Sequence, residues 1–197
     1  MSKNNQIMGS LISLEIELNA IRSFLENVIN VADTEYSRIK ALSDAGKFLH
    51  YDDESNAYFI PMQWEKIAIK TTLGELNALV EWELCNLASK PFFENERRMD
   101  GRLRIVYDLK RDKIIALIED HYKIKLSDLE YYEHINRIRR IVNSFKHRKG
   151  FEDYRKDADV FTAFGDKFEV SRKAAFQSID EVKSFIKELW SKTRQSS

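Results

Sequence analysis

The chain has 197 residues, enough for one compact domain with a sizeable core, and 32 Lys plus Arg balance 32 Asp plus Glu. Zero net charge says nothing about a polyanionic partner, whereas a single cysteine, Cys85, excludes an intrachain disulfide and suits a reducing compartment. The opening "MSKNNQIMGS" lacks the apolar run of a signal peptide, and no stretch reaches the length of a membrane span, so a soluble cytoplasmic protein is expected.

Two prolines and six glycines in the whole chain, with apolar residues at three- and four-residue steps, predict an all-α protein. The first helix is the plainest. Ile7, Leu11, Leu14, Leu18, Ile21, Leu25 and Val28 keep a 4-3 spacing, a bundle or coiled-coil seam running on toward Ala41. From about Asp44 to Pro61 the period fades among turn formers, which reads as a loop with room for a short β-hairpin. A second helix, about 62–89, carries Ile69, Leu73, Leu76, Val80, Leu84 and Leu87, with Leu79 and Trp82 widening its apolar face. Cys85 sits within it as a buried thiol rather than a nucleophile. A third helix, about 102–123, uses Leu103, Val106, Leu109, Ile114, Leu117 and Ile118.

Ser127 with Glu130 has the spacing of a capping box, which would open a fourth helix over about 128–149. Ser178 with Glu181 repeats that spacing before a last helix to about Thr193, carrying Val182, Phe185, Ile186 and Leu189. Between them "KFEVS" is the one candidate short strand. The expectation is a single domain over 1–197, a bundle of about five helices with a long first one.

Charge is uneven along the chain. Seven basic residues fall between Arg97 and Lys113, and eight between Arg137 and Lys156, enough to offer phosphates a basic face or simply to solvate two helices. The second segment overlaps the fourth helix. There Ile135, Ile138, Ile141, Val142 and Phe145 make an apolar face, and Glu133, Asn136, Arg140, Asn143, Ser144 and His147 are placed opposite. Polar residues opposite a core face are ordinary, but solvated faces favour Glu and Lys. Asn, Ser and His are mediocre helix formers, so their choice points to a shared, half-buried polar strip.

The stretch "RIVNSFKH" resembles the R-x(4–6)-H signature of the HEPN superfamily, with Arg140 as its arginine and His147 as its histidine. The resemblance covers about residues 62–193. One position departs: a polar residue, often Asn, usually follows the arginine, and here Ile141 does, leaving Asn143 as the nearest stand-in. The resemblance implies a helical bundle, metal-independent cleavage of RNA, catalysis by Arg140 and His147, and a homodimer formed through the motif helix. Asn143, Ser144, Lys146, Arg139 and Arg148 would then support the site or bind RNA. No cofactor is called for, and His50, His121, His134 and His147 make no metal-ligand spacing such as HExxH. Within the family a defence or toxin role, with a protein inhibitor or partner, is one expectation. The toxin subgroup whose motif ends H-x-Y is not matched, since Arg148 and Lys149 follow His147. The rival reading is a non-catalytic helical module that binds a protein or nucleic-acid partner, docking through the first helix.

Overall fold

The computed structural model describes residues 3–90, 106, 108–148 and 169–195, with side chains from Leu11 in the first helix and up to Lys146 in the motif helix. The protein is an all-α helical bundle, with five helices among the described residues. They are α1 (Lys3–Asp44), α2 (Tyr51–Ser89), α3 (Arg111–Tyr122), α4 (Tyr132–Arg148) and α5 (Arg172–Gln195). None of the described residues is in a strand.

α1 follows its sequence pattern in part: Leu11, Ile21 and Val28 are only half-buried, and the side chain of Ile7 lies outside the described residues. Leu14, Leu18 and Leu25 are buried, and Ile29, Ala32 and Ile39 extend the seam along the same face. The helix ends where Gly46 takes φ +62°, a left-handed conformation that a Cβ would strain. The Gly46 amide donates to Ser43 O and the Lys47 amide to Leu42 O, satisfying the last carbonyls as a Schellman motif does.

The expected loop or hairpin before Pro61 is corrected: residues 51–61 are the first three turns of α2. Asp52, Asp53 and Glu54 place negative charge where the helix N-terminus is positive, and Ser43 Oγ donates to Glu54 Oε1 at 2.5 Å. Pro61 removes one amide from the ladder, but the helix continues with Pro61 buried. Ile69, Leu73, Leu76, Val80, Leu84 and Leu87 are all buried as the period predicts, whereas Trp82 is exposed and does not widen the core face.

Three further boundaries move. The third helix expected from Arg102 is broken at residues 108–110 and starts at Arg111, while residues 102–105 lie outside the described set. Ser127 forms no capping box: it lies in a single 3₁₀ turn, Leu126–Asp128, and its hydroxyl faces Asp128 Oδ1 at 3.3 Å. Tyr131 then takes φ +65°, so α4 can begin only after it, and the Glu130 amide donates instead to Glu188 Oε2 at 2.8 Å. Ser178 is buried inside α5 rather than capping it. The helix is opened by Ser171, whose hydroxyl accepts from the Ala174 amide at 3.2 Å. Glu169–Ser171, the described part of "KFEVS", is not strand.

The described residues group into two compact units. One comprises Met1–Gly74 with Glu169–Phe176, and the other Glu75–Phe168 with Gln177–Ser197. In the first, Arg172 at the start of α5 grips Asp33 of α1 and Glu65 of α2 with four hydrogen bonds of 2.7–2.9 Å. The second contains α3, α4 and most of α5. Its core includes Ile118, Ile135, Ile138, Ile179, Val182, Phe185, Ile186 and Leu189.

Candidate functional site

α4 carries the candidate site, and its burial pattern sets what each residue can do. Ile135, Ile138, Ile141 and Val142 are buried and fix the rotation of the helix. With that rotation Asn136, Arg140 and Asn143, at steps of four and three, share a half-buried stripe. Lys146 is exposed. His147 and Arg148 complete the last turn of α4 by their backbone, and their side chains lie outside the described residues.

Ser144 behaves differently from the sequence expectation. It is 0% exposed, and its hydroxyl donates to the Ile141 carbonyl at 2.7 Å. Its one donor is returned to its own helix, and burial withholds the oxygen from a ligand. Its position on the wheel lies at the edge of the polar strip, and core packing takes it.

Arg111, from outside α4, joins the stripe, and Glu81 lies near Arg139 beside it; sequence reading gave neither a place in the site. Arg111, the first residue of α3, donates from Nη2 to Asn136 Oδ1 at 3.3 Å. Its Nη1 is sealed from solvent and has no acceptor among the described residues. Burial pulls its pKa down from the usual arginine value, and the neighbouring Arg139 pulls it further. Glu81 of α2 lies 3.9 Å from Arg139 Nε, beyond hydrogen-bond reach. The only sequence signal for Arg111 was its place in a mixed basic segment.

No protein-family model, curated protein or solved structure matches the chain. The chemistry of the side chains therefore has to carry the functional reading.

Other reactive groups are accounted for structurally. His134 Nε2 lies 3.2 Å from Ser178 Oγ and 2.6 Å from Glu181 Oε2. Both contacts fall on one ring nitrogen. A nucleophilic relay needs the base to face the serine with one nitrogen and the acid with the other, so this trio is not one. Burial lowers the His134 pKa, against the opposing pull of Glu181. Cys85 is buried and its thiol is pushed up by that burial, the opposite of an activated nucleophile. His121 is exposed, with its ring in edge contact with the Tyr122 ring, centroids 4.5 Å apart. Among the described residues there is no cluster of His, Cys, Asp or Glu able to hold a metal ion, and no helix long and apolar enough to cross a membrane.

Proposed function

We propose that the protein is a metal-independent endoribonuclease of HEPN type, acting in the cytoplasm as a homodimer whose two α4 helices line one cleft. The observation that carries this reading is the stripe on α4. Arg140 and Asn143 stand half-buried on a face continuous in helical register with His147. RNA supplies its own nucleophile, so the protein needs only to move protons and stabilise charge. The 2′-oxygen attacks the adjacent phosphorus while its proton passes to a base, and the 5′-oxygen leaves with a proton, giving a 2′,3′-cyclic phosphate and a 5′-hydroxyl. Imidazole ordinarily titrates near neutrality, which suits His147 to that transfer. Arg140, a permanently charged fork, suits the equatorial oxygens of the pentacoordinate phosphorus.

Spacing requires the second chain. Seven residues at about 1.5 Å rise put Arg140 and His147 roughly 10 Å apart along one helix, too far for one phosphate. Two α4 helices crossing antiparallel about a two-fold axis near Asn143 bring Arg140 of one protomer beside His147 of its partner. Lys146, Arg139 and Arg148 would then flank the cleft as RNA contacts. A defence or toxin role, restrained by a protein inhibitor, would fit such an activity.

Subunit mixing tests the composite site. Arg140→Ala and His147→Ala proteins, each inactive alone, are co-refolded so that protomers exchange. One site of the heterodimer then holds both lesions and the other neither, so up to half the wild-type activity per dimer should return. No recovery, with exchange verified by tagged pull-down, would overturn the shared site.

A non-catalytic binding module is the second reading, and one observation favours it. Ile12, Ile16, Phe24 and Val31 are exposed along the α1 face opposite its buried seam. A chain that is monomeric in solution and inert toward RNA would leave this reading standing.

A further inference from the structure

We propose that Arg111, Arg139 and Asn136 form a phosphate-binding pocket at the N-terminal end of the α4 stripe, taking an RNA phosphodiester adjacent to the scissile one. The identity of the ligand as RNA rests on the ribonuclease reading. The anionic chemistry of the pocket rests on the side chains themselves.

The same chain shows how it treats a purely structural guanidinium. Arg172 makes four hydrogen bonds to two carboxylates, leaving its fork saturated. Arg111 is the contrary case. It makes one long bond, 3.3 Å to Asn136 Oδ1, and leaves Nη1 shut away from solvent without an acceptor among the described residues. Burying a cation with an unmet donor is unfavourable, and placing a second guanidinium beside it adds repulsion. Arg139 is that neighbour, close enough to depress the Arg111 pKa. The acids facing Arg111 do not cancel this. Asp112 and Glu81 act on it only through space, and Glu81 stays 3.9 Å from Arg139 Nε, too far for a hydrogen bond.

Two neighbouring guanidiniums, one with a sealed donor that has no acceptor among the described residues, are relieved by an anion with several oxygens. A phosphodiester meets that description, since each guanidinium can present two parallel donors to it. The bond from Arg111 Nη2 to Asn136 Oδ1 is long and therefore easily given up, which lets the guanidinium turn outward, while the Asn136 Nδ2 group, which that bond does not use, can donate as well. Asn136 and Arg140 are four residues apart on α4, about 6 Å along the axis, so the pocket lies one helical turn from the proposed catalytic arginine. Glu81 is the competing acid. It keeps the empty pocket from being more repulsive still, and an incoming phosphate displaces its influence.

The experiment uses the full-length chain and a fluorescent single-stranded RNA carrying 2′-O-methyl ribose throughout, which binds but cannot be cleaved. Affinity is read by anisotropy from 50 to 300 mM salt. Arg111→Gln should weaken binding about tenfold and reduce the slope of log affinity against log salt by about 0.7, the value for one lost phosphate contact on a single strand. Arg111→Lys should keep the slope and still lose affinity, because the charge remains and the fork does not. Glu81→Gln should tighten binding. Arg139→Gln gives the same slope change without touching the sealed Arg111 donor, so the test survives if Arg111→Gln fails to fold. Wild-type affinity and slope in folded Arg111→Gln or Arg139→Gln would overturn the pocket. Arg111-dependent binding by a wild-type protein that cleaves no natural RNA would sustain the pocket and remove the nuclease reading. Cleavage with no Arg111 dependence of binding would do the reverse.

Discussion

Replacing Arg172 with alanine releases the clamp on Asp33 and Glu65, and the size of the loss follows from its geometry. The guanidinium is 36% exposed, Asp33 51% and Glu65 23%, with all four hydrogen bonds between 2.7 and 2.9 Å. A fully exposed pair contributes about 0–1 kcal/mol, while charge-assisted bonds in drier settings reach about 1.5–3 kcal/mol. The Asp33 half belongs near the lower figure and the Glu65 half nearer the upper, so Arg172→Ala should destabilise by about 2 kcal/mol. The Arg172 pKa is raised, with the Glu65 bond the larger cause and the Asp33 bond next, the same ranking that burial gives. Urea denaturation of Arg172→Ala, Asp33→Ala, Glu65→Gln and the two double mutants separates the halves. Raising NaCl to 1 M should erase most of the Arg172–Asp33 coupling and spare more of Arg172–Glu65. A total loss below about 0.5 kcal/mol, against the figure expected for a geometrically good charged clamp, or equal salt sensitivity of the two couplings, would refute this reasoning.

Ser144→Ala should change stability by less than about 1 kcal/mol, because the lost bond to the Ile141 carbonyl is offset by better helix propensity. It should leave RNA cleavage unchanged, and a loss of cleavage at an unaltered melting temperature would place the hydroxyl in the site after all. His134 is held below its usual value of 6.5 by burial, so folding favours the neutral ring and the unfolded chain binds the extra proton. The stability it contributes is therefore present above pH 6.5 and lost as pH falls through and below that value. Thermal melts at pH 7.5 and 5.5 should show a smaller drop for His134→Gln than for wild type, and identical drops would contradict the assignment.

Much of the scaffold could be read from spacing alone, because burial of a helix face repeats every three to four residues. Leu14, Leu18 and Leu25, and the run from Ile69 to Leu87, are buried as their period dictates. The start of α2 was hidden because Pro61 and a polar run imitate a loop, while the acids that favour the first turn give no apolar period. Ser178 and Glu181 have capping-box spacing, yet that spacing recurs inside any helix, and the true N-cap is Ser171, whose hydroxyl accepts from the Ala174 amide. The site was legible only along α4. Arg140, Asn136 and Asn143 could be aligned from one helix, but Ser144 sits at the boundary of two faces and the packing of neighbouring helices decides its side. Arg111 approaches Asn136 from another helix across 25 residues of sequence, a contact that no single-helix pattern encodes.

Cleavage of a 5′-labelled RNA in excess EDTA, by wild type, Arg140→Ala and His147→Ala proteins of equal helicity and melting temperature, tests the central claim most directly. The wild type should cleave, with fragments ending in 2′,3′-cyclic phosphate, and each variant should lose at least about a hundredfold, the scale of a removed acid–base or charge-stabilising group. Cleavage that disappears in EDTA and returns with magnesium, or that persists in either variant, would contradict it.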